Sequence, residues 1–107
     1  MECTPDQEGL APLTRREIAD LKSQVPDWRI EEGRLIRRFE TAHFMDSIAL
    51  VTEIARIAKE QEHYPDIRIT EYRHVDVIWY SYRYGGITQN DLIMAAKVSA
   101  FAQSRSL

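Results

Sequence analysis

A chain of 107 residues, 44% apolar and 29% charged, has the size and composition of one globular domain with one core. Its net charge of −3 argues against nucleic acid as the default ligand, because neutralising phosphates takes a concentrated basic surface. Cys3 is the sole cysteine, which excludes a disulfide framework and a thiolate metal cluster. No apolar run approaches the roughly 18 residues of a membrane span or forms a signal-peptide core, so a cytoplasmic protein is expected.

Residues 1–13, with Pro5, Gly9 and Pro12, read as a flexible tail, and residues 14–107 as a single domain. Thr14 and Glu17 have the spacing of a capping box, in which a hydroxyl and a carboxylate satisfy free amides at a helix start. Ile18, Leu21 and Val25 then follow at helical spacing until Pro26 stops the pattern. Two short runs with apolar residues at period two, Trp28–Ile30 and Leu35–Phe39, flank Gly33 and predict a hairpin. Trp28, Ile30, Leu35 and Phe39 are expected on its buried face, with Arg34 and Arg38 on the other.

Thr41 to about Glu62 carries the strongest helical pattern. Phe44, Ile48, Val51, Ile54, Ala55 and Ala58 form a stripe, and Leu50 and Ile57 widen it beyond what one sheet face requires. Part of this helix is therefore expected to meet another element or another subunit. Ile67 and Ile69, then Val75, Val77 and Trp79, alternate with polar and aromatic residues and predict two more strands around a reversal at Glu71–His74. Thr88 and Asp91 repeat the capping-box spacing at a last helix running to about Gln103, with Leu92, Ala95, Ala96, Ser99 and Ala100 on one face.

The predicted fold class is α+β, with element order α-β-β-α-β-β-α: a four-stranded, mainly antiparallel sheet with three helices on one face. The helix-free sheet face would display Arg68, Tyr80 and Tyr82 together with Arg34 and Arg38. Tyrosine and arginine combine contact area with hydrogen bonding, so this face is the candidate partner-binding surface. The alternative is a solvated face with tyrosines favoured for strand propensity. His43, His63 and His74 are too scattered for a metal site, and no metal or cofactor is expected.

The run from His63 to Asp91 resembles the pterin-4a-carbinolamine dehydratases, also known as dimerisation cofactors of a homeodomain transcription factor. The matching residues are His63-x-Pro65, Tyr72, Gly86-Ile87-Thr88 and Asp91, within a resemblance spanning roughly Thr14 to Gln103. The resemblance implies a pocket formed by His63, Tyr64, Tyr82 and Asp91, supported by Pro65 and Tyr72, that takes a pterin as substrate. It also implies a homodimer or dimer of dimers. The family signature His-His-Pro reads His63-Tyr64-Pro65 here, a further histidine position holds Tyr82, and an acidic position holds Lys59. Imidazole exchanges protons near neutrality, whereas a phenol with a pKa of about 10 is a far weaker acid. The loss of two imidazoles is similar to a non-catalytic branch that assembles ribulose-bisphosphate carboxylase (Rubisco) in carboxysomes or chloroplasts. That likeness implies an assembly factor acting on the Rubisco large subunit through the Tyr/Arg face. A working dehydratase, and a dimerisation cofactor for another protein, are the alternatives.

Overall fold

The computed structural model describes residues 2–3 and 10–107. The elements are α1 (Arg15–Lys22), β1 (Arg29–Glu31), β2 (Arg34–Glu40), α2 (Phe44–Gln61), β3 (Asp66–Thr70), β4 (His74–Trp79) and α3 (Gln89–Ser104). The sheet order is β1-β2-β4-β3, and every neighbouring pair is antiparallel. This is the predicted α-β-β-α-β-β-α architecture.

Local sequence explains most boundaries. Thr14 and Glu17 close the expected capping box on α1. The helix ends at Lys22, four residues ahead of Pro26, and the chain turns to bury Val25 and Trp28. Trp28 donates from Nε1 to Ser99 Oγ at 2.8 Å, so its polar edge is satisfied. The β1–β2 loop is Glu32-Gly33, with φ of 52° and 74°, and Glu31 pairs with Arg34. Two central residues of positive φ make the type I′ geometry that suits a right-twisted hairpin, and glycine carries the second at no steric cost.

The β3–β4 reversal lacks that help. Glu71 and Tyr72 both take positive φ (50° and 56°), at roughly 1–2 kcal/mol each for residues bearing a Cβ. Buried Ser47 at the start of α2 donates to the Tyr72 carbonyl at 2.7 Å, and Thr41 N–H donates to the Arg73 carbonyl at 2.9 Å. These bonds clamp the strained turn onto the first turn of α2 and the connection that precedes it.

The core lies between the sheet and the helices. Leu35 and Phe39 of β2 and Val75, Val77 and Trp79 of β4 meet Leu50, Ile54 and Ala58 of α2 and Met94, Ala95, Val98 and Ala102 of α3. Three expectations about burial are corrected. Ile30 is 42% exposed, because three-residue β1 is an edge strand with a neighbour on one side only. Phe44 is 50% exposed at the first position of α2, and Met45 beside it is exposed as well. On α3, Leu92 and Ala95 are buried as expected, together with Met94, Val98 and Ala102, while Ala96 and Ala100 face outward and Ser99 is half-buried. Alanines occur on both the buried and the outward faces of α3, so alanine alone does not define a face.

Arg34 and Arg38 do point away from the helices. Across the helix-free face Arg38 of β2, Asp76 of β4 and Arg68 of β3 form one register row. Asp76 accepts from Arg38 Nε at 2.7 Å and from an Arg68 terminal nitrogen at 3.0 Å. The Arg38 guanidinium, with Arg68 beside it, holds the Asp76 carboxyl below the usual carboxylate range despite its burial. Ile36 and Ile78, side by side in the next row, are also buried. The central strand β4 is thus enclosed on both faces, and its expected period-two burial is lost. At the sheet's far end His74 is buried, with Glu71 at 3.3 Å and Glu40 at 3.6 Å from its ring nitrogens.

Most of the expected tail lies outside the described residues. Where it is described, Leu13 N–H donates to the Ile87 carbonyl at 2.8 Å, and Cys3 N–H donates to Gln61 Oε1 at the same distance. A Cβ on Gly86 would sit 3.2 Å from Pro12 Cβ, so the small residue there permits this close approach. Burial pushes the Cys3 thiol up to about 11. Among the described residues no helix is long and apolar enough to cross a membrane.

Candidate active site

Helix α2 ends in a way that aims His63. Glu62 takes the left-handed conformation (φ 53°), with its N–H bonded to the Lys59 carbonyl at 3.2 Å, and His63 N–H reaches back to the Ala58 carbonyl at 3.2 Å. That 6→1 and 5→2 pair is a Schellman ending. Pro65 then biases Tyr64 toward extended backbone and starts the entry into β3. Between the helix end and the strand, His63 folds inward and stacks on Trp79, with ring centroids 5.7 Å apart and planes 9° from parallel.

Asp91 reaches the same point from α3. Its Oδ2 accepts the Thr88 N–H at 2.8 Å, which completes the capping box expected from the spacing. The same oxygen accepts the Ser81 hydroxyl at 2.8 Å. Its Oδ1 lies 2.7 Å from His63 Nε2. Asp91 is fully buried. A carboxylate only accepts, so Nε2 carries the hydrogen, and Nδ1 is the nitrogen left to meet a ligand.

Ser81 joins this network to the adjoining loop. Its backbone N–H donates to the Gly86 carbonyl at 3.0 Å, and its own carbonyl accepts from Tyr84 and Gly85. The closed loop presents Tyr82, Arg83 and Tyr84. With Glu62, His63, Tyr64, Tyr80 and Ser81 they line a shallow hollow of about 200 Å³.

His63, Tyr64, Tyr82 and Asp91 therefore converge, with Pro65 beside them. Tyr72 does not: it lies 54% exposed at the β3–β4 turn, the opposite end of the hairpin from Asp66 and Trp79. Tyr64 and Tyr82 are exposed at the rim. The Tyr82 hydroxyl donates to Asp66, and that bond raises the phenol's pKa above its ordinary value. Arg34 lies 4.2 Å above the Tyr80 ring and 5.5 Å from that of Tyr82, and the two rings meet edge to face at 5.0 Å. Sheet face and hollow thus share these tyrosines. Lys59 is exposed on the last turn of α2, and His43 is an exposed N-cap without a side-chain cap bond.

Ser81 and Asp76 were missed by sequence reasoning. Ser81 shares the parity of Val75, Val77 and Trp79, so a hydroxyl there points to the core side and requires a partner; that was the available signal.

Residues 11–101 match the family model for pterin 4 alpha carbinolamine dehydratase. A relative from Microcystis aeruginosa, provisionally named pterin-4-alpha-carbinolamine dehydratase, is 36% identical over 100 residues, covering 90% of this chain and 85% of its own. One from Chlorobium limicola, with the same provisional name, is 37% identical over 101 residues, covering 91% and 88%. The crystal structure of a transcriptional coactivator/pterin dehydratase from Brucella melitensis superposes with a TM-score of 0.76 at 25% identity, covering 85% of this chain and 98% of that one. With the family model spanning most of the chain and these relatives aligned along nearly all of it, the chain belongs to the pterin-4a-carbinolamine dehydratase family.

Proposed function

We propose that this protein dehydrates a 4a-hydroxytetrahydropterin with His63 as its acid–base group. The observation that carries the reading is the 2.7 Å bond from His63 Nε2 to buried Asp91. Helix capping requires only Oδ2 of that carboxylate, yet Oδ1 is aimed at an imidazole beside a solvent-open hollow. Neutral His63 takes the proton of the pterin ring nitrogen on Nδ1, and Asp91 stabilises the imidazolium that forms. Tyr64 hydrogen-bonds the departing hydroxyl, and the imidazolium returns the proton to that oxygen, so that it leaves as water and His63 is neutral again. Tyr82, held by Asp66, lines the hollow and does not supply the proton. With one imidazole the enzyme is slower than a three-histidine relative. The test is turnover of freshly generated 4a-hydroxytetrahydropterin: wild type exceeds buffer and His63→Ala does not, whereas a wild-type rate equal to buffer would refute the reading.

The helix-free face supports a second role in binding a protein partner. Arg38, Asp76 and Arg68 are locked in one row and Arg34 is stacked on Tyr80, so the surface is organised in advance. A Rubisco assembly role, which the resemblance implied, would use this face and rests on that resemblance alone. Exposed Phe44 and Met45 support self-association through α2. Loss of partner capture in an Arg34→Ala, Arg68→Ala, Tyr80→Ala variant that stays folded checks the sheet-face role; retained capture removes it.

A further inference from the structure

We infer that Ser81 is a positioning residue for His63, acting through Asp91; its part in catalysis rests on the dehydratase reading above. Among the described residues, three groups meet the Asp91 carboxylate at hydrogen-bonding distance of about 3 Å or less: Thr88 N–H and Ser81 Oγ on Oδ2, both at 2.8 Å, and His63 Nε2 on Oδ1 at 2.7 Å. Two donors on Oδ2 fix the rotation of the carboxylate about its last bond and so place Oδ1. Thr88 alone leaves that rotation free about the axis of a single bond; its hydroxyl is 3.4 Å from Oδ2 and is itself 2.9 Å from Ser81 Oγ. Ser81 therefore decides where Oδ1 points, and Oδ1 decides which ring nitrogen of His63 carries the hydrogen.

The side chain is separable from the loop it stands in. Backbone groups of Ser81 make the bridge to Gly86 and the bonds that close the Tyr82–Gly85 turn. Removing the hydroxyl leaves those bonds intact and takes away a donor to a buried carboxylate. Among the described residues, Trp79 lies beneath the His63 ring, and Glu62, Arg83 and the phenols of Tyr64, Tyr80, Tyr82 and Tyr84 line the hollow beside it.

The experiment compares wild type with Ser81→Ala, Ser81→Cys and Ser81→Thr in two measurements. The first is the ¹⁵N spectrum of the His63 ring in the neutral state. Wild type and Ser81→Thr give the pattern of a single Nε2–H tautomer, whereas Ser81→Ala and Ser81→Cys give a mixture. The second is turnover. Ser81→Ala lowers kcat about tenfold, the rate equivalent of one hydrogen bond to a charged group, with KM within about twofold, and Ser81→Thr restores it. Cysteine is nearly isosteric with serine and a poor donor, so it separates the hydroxyl from the volume and covers an alanine variant that fails to fold. A single Nε2–H tautomer in Ser81→Ala or Ser81→Cys overturns the inference, as does failure of threonine to restore it. The spectrum does not depend on turnover, so an inactive wild type would refute the dehydratase reading while the tautomer comparison still decides the role of Ser81.

Discussion

Replacing Asp91 by asparagine changes one atom and should reverse the polarity of the site. The asparagine carbonyl can take the place of Oδ2 and accept from Thr88 N–H and Ser81, since both are donors aimed at that position. Its NH₂ must then face His63 Nε2, where wild type presents Oδ1. Two donors cannot share that contact, so Nε2 becomes the acceptor and the hydrogen moves to Nδ1, the nitrogen assigned to the substrate. The base is then in the wrong tautomer. Positioned acid–base groups contribute about 10²–10⁴ in rate, and the equivalent change in a serine-protease triad costs about 10⁴. We expect kcat to fall by about 10²–10³, below the triad figure because solvent reaches this open hollow. Stability should change little by comparison. The cap bond and the Ser81 bond persist, and the loss is the charge at the helix N-terminus, about 0.3–1 kcal/mol, together with charge assistance of similar size. Against a typical total of about 5–15 kcal/mol the variant stays folded. The assay is dehydration of 4a-hydroxytetrahydropterin, with urea unfolding measured on the same preparation. A folded Asp91→Asn protein retaining more than about a third of wild-type kcat would refute the tautomer argument.

The double variant Tyr64→His, Tyr82→His should raise turnover, because it returns imidazoles to a hollow whose Asp91–His63 pair is already in place; unchanged or lower kcat would count against the pocket assignment. On the sheet, Arg38→Gln with Arg68→Gln should lower the urea midpoint more than Asp76→Asn does, since the first leaves a buried carboxylate unpaired and the second leaves two half-exposed guanidiniums to water. Asp76 has a folded pKa below its unfolded one, so its contribution is complete above the ordinary carboxylate range near pH 4 and disappears as pH falls through the depressed value. The midpoints of wild type and Asp76→Asn should therefore differ at pH 7 and converge as pH falls below the ordinary carboxylate range. Met45→Lys should reduce the mass seen in sedimentation if α2 carries a subunit contact, and an unchanged mass would remove that helix from consideration.

Sequence spacing revealed what depends on neighbours along the chain. Both capping boxes, the glycine hairpin and the placement of Arg34, Arg38 and Arg68 opposite the helices follow from periods of two and from i, i+3 spacing. Burial that depends on sheet position did not follow. Ile30 alternates correctly yet lies on an edge strand, while Asp76 and Ile78 alternate outward yet are buried, Asp76 between arginines of both neighbouring strands and Ile78 beside Ile36. The site combines the two cases. Asp91 was legible as a cap, three residues from Thr88. Its bond to His63 spans 28 positions and its bond to Ser81 spans ten, and no local pattern encodes either.

That division bears on how the site tolerates phenols where its family signature has imidazoles. Tyr64 and Tyr82 stand at the exposed rim, outside the hydrogen-bond network of Asp91, and Tyr82 is turned to Asp66. Such positions can change with little consequence for the fold. His63 and Asp91 are placed differently. The carboxylate simultaneously starts α3, receives the exit of β4 through Ser81 and fixes the imidazole at the end of α2. A chain that had abandoned the chemistry would still need Oδ2 for the cap, but nothing in α3 would require an imidazole on Oδ1. A buried oxygen facing a stacked aromatic position could be satisfied by any donor of suitable size. That an acid–base group fills it, with its second nitrogen left for the hollow, is why turnover is a stronger reading of this site than a vestige of the fold.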